Sequence, residues 1–582
     1  MTPSQPNKRR LLSAKPLLGI GQLTLFLTLM ACGDAQKDES GAQPAHAYTD
    51  KPATPPLLES LNTSELGIDF QHDAGFSDQY AIYEPLGSGV AVIDIDNDGR
   101  MDLFFPQYGS TGTSSGLYRN LSEKDALQFA KITPPNHTKG GDTSLTSQRG
   151  LIFAAVADAN NDGWEDILTG GHNRLQLWIN QGHGHFRNSG WLSAPAEESF
   201  FTSASWFDAN GDGWLDVWVT NYVDGSKDVD CRLANGAPGY CPPSAYRDRV
   251  DWFFLNNQGA GLQTSPAPAI TPRASLGVVT ADFDNNGWPD VYIANDQQNN
   301  QLFFNQSGQL LADEAMRRGA AFNLMGQVEA SMGIAVGDMD NNGFNDLYVT
   351  HYQAETNTLY LNQSGHFTDK TAQAGLTAAV RPFTGFGTAF LDLNGDNRLD
   401  LVVVNGSVVT TEKGYGEESN GRLHTEPVQV WLDHNGALQY QQQLARQLPK
   451  RVGRGLVPVD LDNDGDKDLV ISNNNQPPTV LRNNSNPDHW LGLDLRCHGR
   501  TALGAKLQWR TADGITTYRH VHSDGSYASS QDTRVLFYPS EQSATIEIFW
   551  PEGQHTQLSA ETLAPNRYHR IECPPLPQQA AS

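Results

Sequence analysis

The sequence is poor in positive charge, in cysteine and in long apolar runs. Its 582 residues carry 40 Lys and Arg against 66 Asp and Glu, a formal net charge of −26. A surface of this sign repels phosphate backbones, which argues against nucleic acid as a partner. The 55 Gly and 32 Pro residues interrupt the chain too often for coiled coils or long helices. Many short strands joined by turns are therefore expected.

The most apolar stretch, residues 17–29, follows a basic start and is too short to span a bilayer stably. It leads into Leu-Met-Ala-Cys, which resembles the box of a bacterial lipoprotein signal, with residues 1–31 removed and the lipid attached to Cys32. An ordinary secretory signal with an incidental cysteine is the alternative. Residues 32–58 are polar and Pro-rich, as in a flexible linker. We expect an exported chain whose lipid anchor is its one membrane contact, and Gly33 favours the outer membrane or cell surface.

Four cysteines follow Cys32, an even number that favours disulfides in an exported chain. Cys231 and Cys241 would close a short loop, and Cys497 and Cys573 bracket the C-terminal region. Other pairings would cross a probable domain boundary, and free thiols are the weaker alternative.

One Asp-rich pattern recurs seven times, each time between two apolar runs. It reads Asp-x-Asp/Asn-x-Asp/Asn-Gly-x-x-Asp, and we number its positions 1 to 9. Side-chain oxygens at positions 1, 3, 5 and 9 and the backbone carbonyl at position 7 converge in a tight turn, which Gly at position 6 permits. This set of hard ligands suits Ca²⁺ better than Mg²⁺ or soft metals.

The predicted calcium ligands occupy positions 1, 3, 5, 7 and 9 of each loop. They are Asp94, Asp96, Asp98, Arg100 and Asp102 in loop 1; Asp158, Asn160, Asp162, Trp164 and Asp166 in loop 2; Asp208, Asn210, Asp212, Trp214 and Asp216 in loop 3; Asp282, Asp284, Asn286, Trp288 and Asp290 in loop 4; Asp338, Asp340, Asn342, Phe344 and Asp346 in loop 5; Asp392, Asn394, Asp396, Arg398 and Asp400 in loop 6; and Asp460, Asp462, Asp464, Asp466 and Asp468 in loop 7.

Two other interpretations of these loops fit less well. An EF-hand needs Glu at position 12 and flanking helices, but position 12 of loop 1 is Phe105 in an apolar run. A single loop could be a turn without an ion, whereas seven in one frame indicate a shared metal role, with up to seven Ca²⁺. Loop 6 has Asn397 at position 6, and Asn tolerates positive φ.

The loops recur about every 61 residues, and each unit contains four strand-like runs, the third often ending in Asn, as in residues 359–362. Four antiparallel strands repeated seven times predict an all-β fold, a seven-bladed β-propeller over residues 59–486. The seventh unit lacks a fourth strand. Residues 67–76 look like residues 365–376, and we expect them to supply this strand and close the ring.

These repeats resemble the FG-GAP/VCBS repeats of integrin-α-like propellers. Residues 489–553 resemble the ASPIC/UnbV domain, through the Arg-x-Ala-x-Gly-Ala stretch at Arg500, the Gly-x-Tyr stretch at Gly525 and the Trp-Pro-x-Gly turn at Trp550. The combination resembles the cartilage-acidic-protein-1-like family, which implies a calcium-binding extracellular protein without a defined molecular activity. We expect a small β-sandwich-like domain at 487–574 and a tail at 575–582.

No catalytic motif stands out: the sequence has no His-Glu-x-x-His, no Cys-x-x-Cys and no Gly-Lys dipeptide. We expect a non-catalytic binding, adhesion or scaffold protein. The alternative is an enzyme that acts on envelope or extracellular polysaccharide in the central depression of the propeller.

If all the metal loops lie on one face, the longer connections lie on the other, where residues that bind a protein or glycan ligand are expected. A turn-capping role is the simpler alternative for each candidate. The candidates are Asn221, Tyr222, Asn295, Asp296, His351, Tyr352 and Asn405.

Overall fold

Almost all regular structure in this protein is β-strand, which confirms the all-β prediction. The computed structural model describes residues 55–109, 113–124, 126–133, 144–192, 198–225, 229–233, 236–265, 268–410, 423–512, 514–539 and 544–575. The predicted export signal, Cys32 and most of the linker lie outside these ranges. Within them, none of the helices has the length and apolar character needed to span a membrane.

Seven antiparallel four-stranded sheets follow one another along the chain. Sheet 1 comprises Ala91–Ile93, Asp102–Phe105, Gly116–Asn120 and Phe129–Lys131; sheet 2, Leu151–Ala157, Asp166–Gly171, Arg174–Asn180 and Phe186–Asn188; sheet 3, Phe201–Phe207, Asp216–Asn221, Trp252–Asn256 and Leu262–Thr264; sheet 4, Ser275–Ala281, Asp290–Gln298, Gln301–Gln306 and Gln309–Asp313; sheet 5, Ile334–Gly337, Asp346–Val349, Thr358–Gln363 and His366–Asp369; sheet 6, Gly385–Leu391, Asp400–Thr410, Gln429–Asp433 and Leu438–Tyr440; and sheet 7, Gly453–Val459, Asp468–Asn473, Thr479–Asn483 and Leu58–Leu61.

Short elements decorate these sheets. Glu329–Ala330 pairs with sheet 4, Leu423–Thr425 with sheet 6, and Cys231–Arg232 with Pro238–Gly239. The helices are Ala315–Arg318, Thr377–Val380 and Gln442–Gln447, with 3₁₀ turns at Leu145–Ser147, Pro243–Ala245 and Ala560–Thr562.

The Asp-rich loops connect the first and second strands of every sheet. Each first strand ends at the residue before position 1, and each second strand begins at position 9. The apolar runs on both sides of a loop are buried, as in Leu151–Ala157, where all seven residues are buried. Since each sheet packs both faces against its neighbours, its strands are apolar on both faces.

The sheets form a closed ring. The first strands of successive sheets contact one another, and that of sheet 7 contacts that of sheet 1. Across this last junction, Val92 and Leu103 pack in one apolar cluster with Val457 and Val459.

The strand that completes sheet 7 comes from the N-terminal side, but it is Leu58–Leu61 and not residues 67–76 as predicted. Gly67 has a φ of 86° and ends the turn that follows this strand, as Gly375, with a φ of 75°, ends the turn that follows the fourth strand of sheet 5. The repeats align on these turn glycines and not on the Gly-x-Phe pattern. The observed strand therefore begins at Leu58, nine residues before the start of the expected segment at residue 67.

The C-terminal domain, residues 491–572, contains two more four-stranded sheets. One comprises Leu491–Cys497, Arg500–Thr501, Val535–Phe537 and Tyr568–Glu572, and the other Lys506–Thr511, Thr516–His520, Ala544–Phe549 and His555–Ser559. Both expected disulfides are present, Cys231–Cys241 and Cys497–Cys573.

Candidate metal loops and the domain above them

All seven loops have the same hydrogen-bonded turn, built on the carboxylate at position 1. One of its oxygens accepts the backbone N–H of position 5 at 3.0–3.2 Å, and the other accepts that of position 6 at 2.5–3.1 Å. Position 6 has φ between 65° and 97°, and Asn397 adopts this conformation as the six glycines do. The turn therefore brings positions 1, 3 and 5 to one side.

The carboxylate at position 9 closes each loop. One oxygen accepts the N–H of position 2, and the other accepts the N–H of the residue that ends, or nearly ends, the third strand. In loop 1 these donors are Ile95 at 3.0 Å and Asn120 at 2.6 Å from Asp102. Position 9 thus ties the second and third strands to the loop.

Four loops bring three carboxylates within 4.8 Å of one another, and these are the four with Asp at position 3. We call loops 1, 4, 5 and 7 the Asp-type loops and loops 2, 3 and 6 the Asn-type loops. In loops 2 and 3 the position-3 amide, Asn160 or Asn210, donates to the position-5 carboxylate at 2.9 and 3.2 Å. An amide donor there provides part of the attraction that a cation would provide.

The buried carboxylates of these loops are hard to ionise without a cation. Burial, with a smaller contribution from the charges of neighbouring aspartates, raises the pKa of Asp102 and Asp346 to about 8. Burial likewise raises the pKa of Asp460 in loop 7 to about 7. A bound cation reverses this preference, because it favours the charged form.

The residues present fit a hard divalent cation. The donors are carboxylate, amide and carbonyl oxygens, and Asp96 has one buried oxygen with no hydrogen-bond partner in the described structure. Asp96 and Asp98 also approach Arg119, so loop 1 has a neighbouring positive charge.

An asparagine that ends, or nearly ends, the third strand links neighbouring loops in six of the seven sheets. Its amide donates to the position-2 carbonyl of the preceding loop, as Asn180 does to Ile95. Across the ring closure, Asn120 donates to Leu461 at 2.7 Å. The remaining sheet carries Asp433 at this place. The six donors are Asn120, Asn180, Asn256, Asn305, Asn362 and Asn483.

The C-terminal domain covers the loop face. Three arginines each donate to a position-6 carbonyl: Arg500 to Gly213 of loop 3, Arg519 to Asn397 of loop 6, and Arg534 to Gly99 of loop 1, at 3.0–3.2 Å. Cationic side chains of one domain therefore face acidic loops of the other, and this attraction contributes to docking.

Two further contacts reach position-1 carboxylates directly. The Lys506 ammonium lies 2.6 Å from Asp282 in loop 4, and the Tyr568 hydroxyl donates to Asp460 in loop 7 at 2.8 Å. In both cases the oxygen is the one that also accepts the position-6 N–H. The other oxygen accepts the position-5 N–H, so these groups help to orient the position-1 carboxylate.

Residues 523–532 of the C-terminal domain, the axial segment, enter the ring and contact the first strands of all seven sheets or the residues beside them. Ser526 exchanges backbone hydrogen bonds with Ile334, and Ser530 does so with Val90 and Val92. Tyr527 is fully buried against Phe386. The other contacts are Val156 and Leu456, bound by serine hydroxyls, and Ser205 and Thr280, bound by Asp524.

The axial segment bears on the enzymatic alternative, because it occupies the central depression where that alternative places a substrate. A substrate site there would require the C-terminal domain to leave the ring.

On the face opposite the metal loops, the predicted ligand-binding residues are either buried or half-buried. Asn221, Asn295, His351 and Asn405 are buried and bond to backbone groups of their own or adjoining loops. Tyr222 is also buried and donates to Asp296 at 2.6 Å, and burial raises the pKa of Asp296 to about 7. Tyr352 is half-buried. The first four side chains serve turns, which is the simpler alternative for them.

Several residues of the loop face had no role predicted from the sequence. The third-strand asparagines were visible as a recurring strand ending, and Arg500 and Gly525 as parts of domain motifs. Lys506, Arg519 and Arg534 lie in no repeat, so nothing in the sequence pattern indicated their loop contacts.

The comparisons with known proteins agree with this architecture. An FG-GAP-like repeat family matches residues 158–219, 282–349 and 338–403, and the ASPIC and UnbV family matches residues 497–576. The chain is homologous to mouse cartilage acidic protein 1, with 23% identity over 500 residues, 81% of this chain and 72% of that protein. The human protein is 23% identical over 495 residues, 81% and 69% of the two chains.

Among solved structures, one on the specific recognition of non-reducing terminal N-acetylglucosamine by an Agrocybe aegerita lectin aligns at 16% identity. Its TM-score is 0.40, and the alignment covers 68% of this chain and 95% of that one.

Proposed function

We propose that this homologue of cartilage acidic protein 1 is an exported, lipid-anchored binding or scaffold protein whose loop face is stabilised by calcium. The supporting observation is the preformed turn in all seven loops, with three carboxylates within 4.8 Å in four of them. Positions 1, 3, 5, 7 and 9 would hold the ions. When bound, calcium supplies a cross-link between the two ends of a loop and offsets its negative charge.

The protein's own residues do the rest of this work. The position-1 and position-9 carboxylates fix the turn and the strand ends, and the cationic residues of the C-terminal domain hold the loop face from above. Such a scaffold favours binding over chemistry, since its buried carboxylates are already engaged by backbone donors. The partner would be a protein or a glycan.

Export and anchoring form the second part of the proposal. The names of the relatives point to cartilage, a tissue rich in extracellular material, and the two disulfides fit an oxidising compartment. Cys32 would carry the lipid, and the polar linker up to residue 58 would separate the ring from the membrane. Metabolic labelling with a palmitate analogue tests this, and a Cys32→Ser variant that is still labelled would contradict it.

Thermal unfolding of the full mature chain in mild detergent tests the calcium role. Chelation should lower the Tm by several degrees, because one site at about 100 times its Kd adds about 2.7 kcal/mol to the free energy of unfolding. Excess Ca²⁺ should restore the Tm and equimolar Mg²⁺ should not. An unchanged Tm after chelation would contradict the proposal.

A further inference from the structure

Cavities of very different size lie between the described parts of the C-terminal domain and the ring. Beside loops 5 and 6 the cavity between the two parts is about 90 Å³, and beside loop 2 it is about 20 Å³. Between loops 3 and 4 and the domain it widens to about 960 Å³. We call this space the interdomain cleft. Its size is that of a small-molecule site.

We propose that the interdomain cleft binds an uncharged saccharide, a short oligosaccharide or the end of a longer glycan. This deepens the binding role proposed above and rests on it. It places the ligand under the C-terminal domain and not on the opposite face.

Aromatic side chains line the cleft on both sides. Trp288, at position 7 of loop 4, belongs to the wall formed by the ring. On the other wall Phe549 and His555 stack with centroids 4.9 Å apart, and Phe549 is 43% exposed. Exposed aromatic faces of this kind provide a flat apolar surface for the C–H face of a sugar ring.

Planar polar groups accompany these rings. Glu552 accepts hydrogen bonds from Gln554 at 3.0 Å and contacts His498 at 3.2 Å. Gln508 lines the same space. An amide offers a donor and an acceptor and a carboxylate offers two acceptors, and these groups beside aromatic rings suit a polyhydroxylated ligand.

The charges of the cleft argue for an uncharged ligand. Its described lining has five carboxylates and one ammonium group. That ammonium, Lys506, already lies 2.6 Å from Asp282 and 2.5 Å from Asn285. With calcium in loops 3 and 4 the carboxylate charge is largely offset, and without calcium the cleft is acidic. In neither state do the described lining residues offer an uncommitted lysine or arginine to a phosphate or sulfate.

The loops supply a matched control for the role of Trp288. Trp164 has the same loop position, and its ring packs against Gly182 in the turn between the third and fourth strands of its sheet, as that of Trp288 packs against Gly308. Trp164 does not line the cleft. Trp288→Ala and Trp164→Ala therefore remove the same side chain from equivalent turns, and a difference between them reports on the cleft.

The test is a calorimetric titration of the full mature chain with each of four probes: chitotriose, cellotriose, maltotriose and mannotriose. We expect at least one probe to bind in or below the millimolar range. Phe549→Ala and Trp288→Ala should weaken it about tenfold or more, and Trp164→Ala should not. Phe549 is exposed, so its variant should fold as the parent does.

Failure of all four probes to bind would overturn the inference, as would binding that Phe549→Ala and Trp288→Ala leave unchanged. Repeating the titration with calcium and with chelator separates the proposals: saccharide binding without any calcium response supports the cleft and contradicts the calcium role. Release of shorter sugars during the titration would mean that the cleft converts its ligand, which contradicts a purely binding role.

Discussion

The Asp-type and Asn-type loops share one backbone turn and differ at position 3. In both groups the carboxylates at positions 1 and 9 accept the same backbone donors, so the turn itself does not depend on the third residue. In Asp-type loop 5 a third carboxylate, Asp340, joins Asp338 and Asp346 within 4.8 Å. In Asn-type loop 2, Asn160 instead donates to Asp162. The comparison shows that the repeat encodes the turn, and we propose that position 3 sets how strongly a loop binds a cation.

The Asp-type loops also lie in neighbouring pairs around the ring, loops 7 and 1 and loops 4 and 5. Asn463 of loop 7 donates to Gly99 of loop 1 at 3.2 Å, and Asn285 of loop 4 donates to Gly343 of loop 5 at 2.9 Å. The clusters of three close carboxylates therefore lie in two sectors of the ring. The C-terminal domain places Arg534 on one of them and Lys506 on the other.

The largest loss of stability is expected from Arg534→Ala, which removes contacts between the C-terminal domain and loops 7 and 1. Arg534 is buried with Asp532 and donates to Gly99, Asn463 and the carbonyl of Asp460. Its removal leaves the Asp532 carboxylate buried without its partner, which costs about 3–5 kcal/mol of unfolding free energy. Chemical denaturation measures this.

The control for that variant is Arg510→Ala, an exposed arginine of the same domain, expected to change stability by less than about 0.5 kcal/mol. Equal losses from the two substitutions would show that the pair of Asp-type loops at the ring closure is not held by Arg534.

A smaller effect is expected at position 1, where an alanine substitution should lower the unfolding free energy more in an Asp-type loop than in an Asn-type loop. Asp460→Ala in loop 7 leaves the Gly465 N–H and the Tyr568 hydroxyl without their buried acceptor, at roughly 3 kcal/mol. Asp208→Ala in loop 3 affects donors that water reaches more easily, and should cost roughly 1–2 kcal/mol. Denaturation curves with excess calcium measure both, and a larger loss for Asp208→Ala would reverse the comparison.

Exchanging Asp and Asn at position 3 tests directly whether this residue makes the difference between the two loop types. Asp340→Asn converts loop 5 to the Asn type, and Asn160→Asp converts loop 2 to the Asp type. Because calcium affinity follows the charge of the ligands, the first should weaken one site about tenfold and the second should strengthen one by a similar factor. Calcium titration calorimetry checks this. Opposite or absent changes would mean that position 3 does not set affinity.

The smallest effect concerns a carboxylate outside both groups. Burial raises the pKa of Glu426, which accepts the Thr384 N–H, to about 7. Since this folded pKa exceeds the unfolded value, the group contributes stability that is present below pH 4.5 and is lost as the pH rises through 7. Glu426→Gln should remove this dependence, a difference of about 1 kcal/mol between pH 6 and 8.

Glu426 and the loops should differ in how their contribution to stability responds to calcium. The Glu426 effect should be the same with calcium and with chelator, as measured by unfolding at each pH. A calcium-dependent difference would place Glu426 in the same linked system as the loops, contrary to the account.

The sequence was most informative where one residue has a fixed local partner. The aspartates at positions 1 and 9 bond to backbone within their own hairpin, so their spacing predicted the strand ends, the turn and the common face. The closing strand was misplaced because Gly67 was matched to a strand start, although its positive φ marks a turn end. Turn glycines are therefore a more reliable guide than the Gly-x-Phe pattern for aligning one repeat with another.

Contacts between distant parts of the chain could not be predicted. Arg534 and Gly99 are far apart in sequence, and no repeat relates them. The Gly-x-Tyr stretch at Gly525 was recognisable as a domain motif, but its place on the axis depends on the diameter of the whole ring. The interdomain cleft depends in turn on how the domain is seated.

Equilibrium dialysis with radioactive calcium measures directly whether the loops bind the ion. We expect about four ions per chain in a first, tighter class, one for each Asp-type loop, and up to three more at higher concentration, at about 10⁻⁴–10⁻³ M. A chain that binds no calcium across that range would contradict this expectation.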